Sequence, residues 1–108
     1  MKGRRVPVIN NVFYPKDLLT QPGDYYGPVS DSLMYGGRPC VWFVLPIAGD
    51  QNCPEAAKHA RLVCSPPHIF TEESDGSLTI RASILCHGYQ GDPDVWHGFL
   101  TKGVWENC

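Results

Sequence analysis

The stretch Ser77-Leu-Thr-Ile-Arg-Ala-Ser-Ile-Leu85 decides the fold class. Leu78, Ile80, Ala82 and Ile84 alternate with Ser77, Thr79, Arg81 and Ser83, a period of two that belongs to a strand with one apolar and one polar face. Thr71-Glu-Glu-Ser-Asp-Gly76 immediately before it reads as a polar turn, within which Asp75-Gly76 is a strong turn signal. Beyond it, residues 86–93 read as a loop, and residues 95–101 and 104–107 form a hairpin around Lys102-Gly103. The three apolar segments of this C-terminal part predict one antiparallel meander. Upstream, Cys40-Val-Trp-Phe-Val-Leu45 is rich in β-branched and aromatic residues and is closed by Pro46, as expected of a central strand buried on both faces. Residues 61–64 read as a further strand, ended by Pro66-Pro67. Trp42, Phe43, Leu78, Ile80, Ile84 and Phe99 are the expected core.

The remaining segments are shorter and less regular. Residues 5–12 fit an edge strand, because Pro7 has no N–H to donate to a ladder. Pro15-Lys-Asp-Leu-Leu19 fits one helical turn, and Gln21-Pro-Gly-Asp24 a type II turn with Pro and Gly at its centre. Tyr25-Tyr-Gly-Pro-Val29 and Gly36-Gly-Arg-Pro39 continue the turn-rich character. Asn52-Cys-Pro-Glu-Ala-Ala-Lys-His59 predicts a helix of about two turns, with Asn52 as N-cap and Pro54 near its first position. The chain thus reads as a single domain over residues 1–108, mainly β, with one or two short helices. Residues 1–39 form an irregular N-terminal part and residues 40–108 a β-rich core.

Composition agrees with that class. In 108 residues, 43% are hydrophobic and 19% charged, enough for one compact core. Eleven Gly and ten Pro favour short strands joined by turns over a helical bundle. A net charge of −2 and a pI near 6.0 argue against an electrostatic grip on nucleic acid or on an anionic membrane. No apolar run reaches the roughly 18 residues of a membrane span. Met1-Lys-Gly-Arg-Arg5 is followed at once by polar sequence, so a secretory signal is not expected. The five cysteines, Cys40, Cys53, Cys64, Cys86 and Cys108, include no C-x-x-C pair. Free thiols are the simplest account, with a single bridge left open.

Three groups of residues bear on chemistry. Cys64 with His68, Cys86 with His87, and Cys53 with His59 are mismatched in spacing for zinc, which favours paired ligands, so no metal and no cofactor is expected. Ser83 near the end of the alternating strand and His97 on the next strand could pair as nucleophile and base, with Asp94 orienting the imidazole. Tyr25, Tyr26, Tyr35, Tyr89, Trp96 and Trp105 are amphipathic aromatics near turns and strand ends. Such residues either anchor a partner or cap the ends of a small β core.

The segments Asp75-Gly-Ser-Leu-Thr-Ile-Arg-Ala-Ser-Ile-Leu85 and Trp96-His-Gly-Phe-Leu-Thr-Lys-Gly-Val-Trp105 resemble a family of small proteins from tailed phages and prophages. Asp17-Leu-Leu19 and Pro22-Gly-Asp-Tyr25 look like the opening of its longer members. Relatives beside bacterial ubiquitin-like conjugation genes suggest a deconjugating hydrolase. The resemblance implies a Cys-Pro-x-Cys-like group after the first hydrophobic strand, where this chain has Phe43-Val-Leu-Pro46, and a cysteine where it has Asp94. The family's Ser-Pro-Ser-Ile element is Arg81-Ala-Ser-Ile84 here, so Ser83 and His97 are retained while the sulfur positions are not. What the resemblance implies is then a small phage-encoded binding or assembly protein: a virion accessory such as a head-decoration or connector component, or an inhibitor of a host defence factor. The alternative is a Ser/His hydrolase of ester or isopeptide bonds. The expected partner is a phage structural protein or a host factor, with self-association open, and the expected location is the host cytoplasm or the virion.

Overall fold

In the computed structural model, which describes residues 1–9, 12–88 and 94–108, the strands form two antiparallel sheets. The smaller sheet has the order β1 (Tyr25–Val29), β2 (Cys40–Phe43), β3 (Arg61–Cys64). The larger runs in chain order: β4 (Ile69–Glu72), β5 (Leu78–Cys86), β6 (Trp96–Thr101), β7 (Val104–Asn107). The chain is mainly β, its helical content limited to short 3₁₀ turns. Among the described residues no helix is long and apolar enough to cross a membrane.

The expected meander is present and is extended by one strand. β5, β6 and β7 pair in order, and β4 adds to the other edge of β5 through the Asp75-Gly76 turn. Lys102 and Gly103 both have positive φ, 47° and 76°. That is the backbone of a two-residue hairpin turn whose twist suits the flanking strands. β2 is central and buried on both faces for a specific reason. Val41 and Phe43 face the other sheet, joining Tyr25, Leu78, Ile80, Ile84, Trp96, Leu100 and Trp105. Trp42 and Val44 face the opposite way, where Val6, Leu19 and Tyr26 form a second cluster with Val12, Phe13 and Leu62. The N-terminal third is therefore the cover of the smaller sheet, since an exposed Trp42 face would otherwise meet water.

The N-terminal segment also ties the sheets together. Gly3 N–H donates to the Gly103 carbonyl at 2.7 Å, and Trp105 N–H donates to the Met1 carbonyl at 2.7 Å, so the chain start lies along β7. Two residues on, Arg5 forms a parallel bridge with Tyr25 of β1. Its guanidinium donates to both oxygens of Glu72 in β4 and to the Gly27 carbonyl.

Several expectations are corrected. Over the described residues 5–9 and 12 the expected edge strand is an isolated bridge at Arg5, because Pro7 has no N–H to donate to a ladder; Asn10 and Asn11 lie outside the described residues. The two-turn helix at 52–59 shrinks to one 3₁₀ turn, Glu55–Lys58, whose Ala56 and Ala57 are buried; eight residues with an internal proline nucleate an α-helix poorly. Tyr25–Val29 is a strand despite Gly27 and Pro28. Ala82 is exposed, not inward with Ile80 and Ile84, and Phe99 lies on the outer face beneath the Arg81 guanidinium, 5.6 Å from the ring centroid. The cause of the first is a register change. Ile80 faces Leu100 and Ile84 faces Gly98, so four residues of β5 span two of β6. The bulge re-aims the residues within it.

Candidate functional site

Past the bulge, β5 and β6 resume regular pairing, with Leu85 opposite His97 and Cys86 opposite Trp96. Cys86 and Trp96 are buried, so Leu85 and His97 stand on the outer face, both exposed. Ser83 sits in the irregular stretch just before the Ile84–Gly98 pair and is half-buried. No hydrogen bond joins its hydroxyl to His97 among the described residues. Its carbonyl instead accepts a hydrogen bond from His68 Nε2 at 3.2 Å. A carbonyl only accepts, so Nε2 carries the proton, and the buried Nδ1 is left without a partner.

Asp94 is engaged elsewhere. Its Oδ1 accepts from His87 Nδ1 at 2.7 Å, on the surface. The strand ends explain this: Val95 N–H donates to the Cys86 carbonyl, which brings the residues flanking the 86/96 pair together, while His97 lies further along β6. Ser83, His97 and Asp94 are thus near neighbours in topology without forming a hydrogen-bonded chain.

The aromatic set is corrected more fully. Tyr25, Tyr26, Trp96 and Trp105 are all buried. Their polar atoms are used internally: Trp105 Nε1 donates to the Gly23 carbonyl at 2.8 Å, Trp96 Nε1 to Asn107 Oδ1 at 2.8 Å, and the Tyr26 hydroxyl to the Val12 carbonyl at 2.9 Å. Trp105 packs edge-on against Trp96, with ring centroids 5.7 Å apart, and against Tyr25. These rings are the centre of the core and not a surface for a partner, because the N-terminal cover and the second sheet enclose them. Tyr89 lies outside the described residues.

Apolar surface is found instead on the N-terminal cover. Val8, Ile9, Val12, Phe13 and Val29, with Ser30, Asp31 and Ser32, line an open cavity of about 460 Å³. The chain leaves this groove through Leu33, Met34 and Tyr35, all exposed, Leu33 at 92%. Beneath it, Phe13 and Tyr14 stack edge-on over Trp42. The Trp42 indole N–H is buried and without a hydrogen-bond partner. Of the residues lining this groove and its exit the sequence singled out Tyr35 alone, as an amphipathic aromatic; the others were passed over because they show no alternation. The available signal was two short apolar runs, Val8-Ile9 inside the segment read as an edge strand and Leu33-Met34-Tyr35 between segments read as turns.

The thiols fall into distinct environments. Cys40 and Cys64 are directly opposed on β2 and β3, both buried, with their sulfurs 2.6 Å apart. Burial, then the hydrogen bond with Cys64, push the Cys40 thiol up to about 12. Burial also pushes Cys86 up, against the opposing pull of the Arg61 guanidinium. The Arg61 guanidinium is anchored by donating to the Ala56 carbonyl at 2.7 Å, and its Nε is buried without a partner. Among the described residues no three His, Cys, Asp or Glu side chains converge as metal ligands would. Comparison with protein-family models, with curated proteins and with solved structures finds no match to this chain.

Proposed function

We propose that this chain is a binding or assembly protein, of the phage-encoded kind its sequence resembles, and that it holds a protein partner in the groove of the N-terminal cover. The observation that carries this reading is the groove itself. Val8, Ile9, Val12, Phe13 and Val29, with the polar Ser30, Asp31 and Ser32, line an open cavity of about 460 Å³, and the chain continues from it into the exposed Leu33, Met34 and Tyr35. A cleft that sets apolar side chains beside polar groups, here Ser30, Asp31 and Ser32, is a setting in which a partner's side chain can be held by packing and hydrogen bonding together. Contiguous exposed apolar residues on a small domain are costly to keep unless something covers them. The expected occupant is an apolar side chain or segment of a phage structural protein or of a host factor, in the virion or the host cytoplasm.

A photo-crosslinking residue at Leu33 tests this. Incubated with purified virions and, separately, with host lysate, it should give one adduct in one of the two, lost when Ile9 is replaced by Asp. The same residue at Leu85, on the outer face of the larger sheet, should give none. Equal labelling from both positions, or an adduct indifferent to Ile9→Asp, would refute the groove as the binding site. The preparation that yields the adduct separates a virion component from an inhibitor of a host protein.

A further inference from the structure

Cys40 and Cys64 occupy partner positions on adjacent antiparallel strands. Directly opposed residues of such strands have Cα atoms about 4.5–5.5 Å apart. That interval lies inside the roughly 4.4–6.8 Å window a disulfide spans. Opposed side chains also leave the sheet on the same face, so the two Cβ atoms point the same way. Here the two sulfurs approach to 2.6 Å, closer than unlinked thiols pack. The other three cysteines have no such partner among the described residues. Cys53 Sγ meets the Ala48 carbonyl at 3.5 Å, Cys86 is in the core beside Arg61, and Cys108 is exposed.

We propose that Cys40 and Cys64 are a modification site, closing under oxidising conditions into a cross-strand disulfide that locks β3 to β2. The oxidant is a low-molecular-weight disulfide. The Cys64 thiolate attacks one of its sulfurs, forming a mixed disulfide and releasing one thiolate. The Cys40 thiolate then attacks the Cys64 sulfur and releases the second. The two cysteines lose two protons and two electrons, and the oxidant is reduced to two thiols. Both steps need a thiolate, which the folded sheet disfavours at Cys40. Closure is therefore fast as the chain folds and slow once the strands have paired. Afterwards the same burial shields the bond from reductant.

The cross-link has a mechanical consequence. β3 is an edge strand, held by β2 alone, and the connection between β2 and β3 has only two 3₁₀ turns as regular structure. Joining residues 24 positions apart restricts the unfolded chain and ties down that edge. In a domain of this size the melting temperature should rise by roughly 10 °C.

The test is to refold the full chain in a mixture of reduced and oxidised glutathione, alkylate the remaining thiols, digest with chymotrypsin and read the peptides by mass. The enzyme cuts after Trp42 and Leu45, separating Cys40 from Cys53. The expected product links the Cys40 peptide to the Cys64 peptide and carries alkyl groups on Cys53, Cys86 and Cys108. Its melting temperature should fall by roughly 10 °C on reduction. A chain with Cys53→Ser, Cys86→Ala and Cys108→Ser should cross-link equally well, which guards against Cys40→Ser or Cys64→Ser failing to fold. Five alkylated cysteines under these conditions, or a link that runs through Cys53, Cys86 or Cys108 instead, would overturn the proposal.

Discussion

Gly98 lies against the Trp96 indole with no space between them: a methyl group built on Gly98 would come 2.5 Å from the ring, and closer still to the Glu106 carbonyl oxygen. Both residues are on the inner face of β6, and Trp96 folds back over Gly98 to reach Trp105. One obstacle is backbone of the paired strand and the other a ring fixed by its bond to Asn107, so neither can move aside cheaply. Gly98→Ala should therefore destabilise the domain by about 2–3 kcal/mol, as overpacking does in a well-filled core. Urea unfolding measures this. A change below about 0.5 kcal/mol would mean that Trp96 is free to leave its place.

Asp24 is a fully buried carboxylate that organises the turn leading into β1. It accepts hydrogen bonds from the backbone N–H groups of Thr20 and Gln21 at 3.0 and 2.9 Å, and from two nitrogens of Arg4. Asp24→Ala removes the acceptor that joins two backbone N–H groups to the Arg4 guanidinium; because Thr20, Gln21 and Arg4 are reachable by water, the cost should be about 1–2 kcal/mol. Asp24→Asn keeps one acceptor oxygen and should recover part of the loss. Equal stability of the two variants, measured by urea unfolding, would count against this account.

Stability should decline at alkaline pH. Burial raises the pKa of Cys40, Cys86 and Tyr25, so the folded state holds these protons more tightly than the unfolded chain. Their contribution is complete below the unfolded values, near 9 for the thiols and 10 for the phenol, and is lost as pH rises through the folded values, about 12 for Cys40. The urea midpoint of the reduced protein should therefore be level near pH 8 and fall steadily towards pH 11. With Cys40 and Cys64 joined, Cys40 no longer titrates and the fall should be shallower. A midpoint that does not move across this range would contradict the burial of these groups.

Ser83→Ala and His97→Ala should each change stability by no more than about 0.5 kcal/mol, because neither side chain has a hydrogen-bond partner among the described residues. Trp105→Ala should cost about 3–5 kcal/mol, since its ring fills the space between the sheets and its N–H serves the Gly23 carbonyl. Thermal or urea unfolding of the three variants distinguishes these cases. A large effect at Ser83 or His97 would reveal a structural bond on the outer face of the larger sheet.

Local pattern determined a good part of this protein. The alternation along residues 77–85, the β-branched and aromatic run at 40–45 and the Lys102-Gly103 turn each express a backbone or burial preference contained within a few residues, and each became the strand or turn expected. The strand pairing of β5, β6 and β7 follows from short connections in the same way. What only the tertiary structure decided were matters of partnership. Tyr25–Val29 and Ile69–Glu72 carry weak strand signals and are strands because β2 and β5 offer them edges. The bulge that turns Ala82 outward is a property of two strands and has no mark in either alone. Whether Trp105 and Tyr26 would cap the core or face a partner depended on which segment covered them, and the N-terminal third did so from far away in sequence. The meeting of Cys40 with Cys64, and of Asp94 with His87 instead of His97, was set by register. A shift of a single residue exchanges the faces of a strand, so residue composition leaves such meetings undecided until the sheets have assembled.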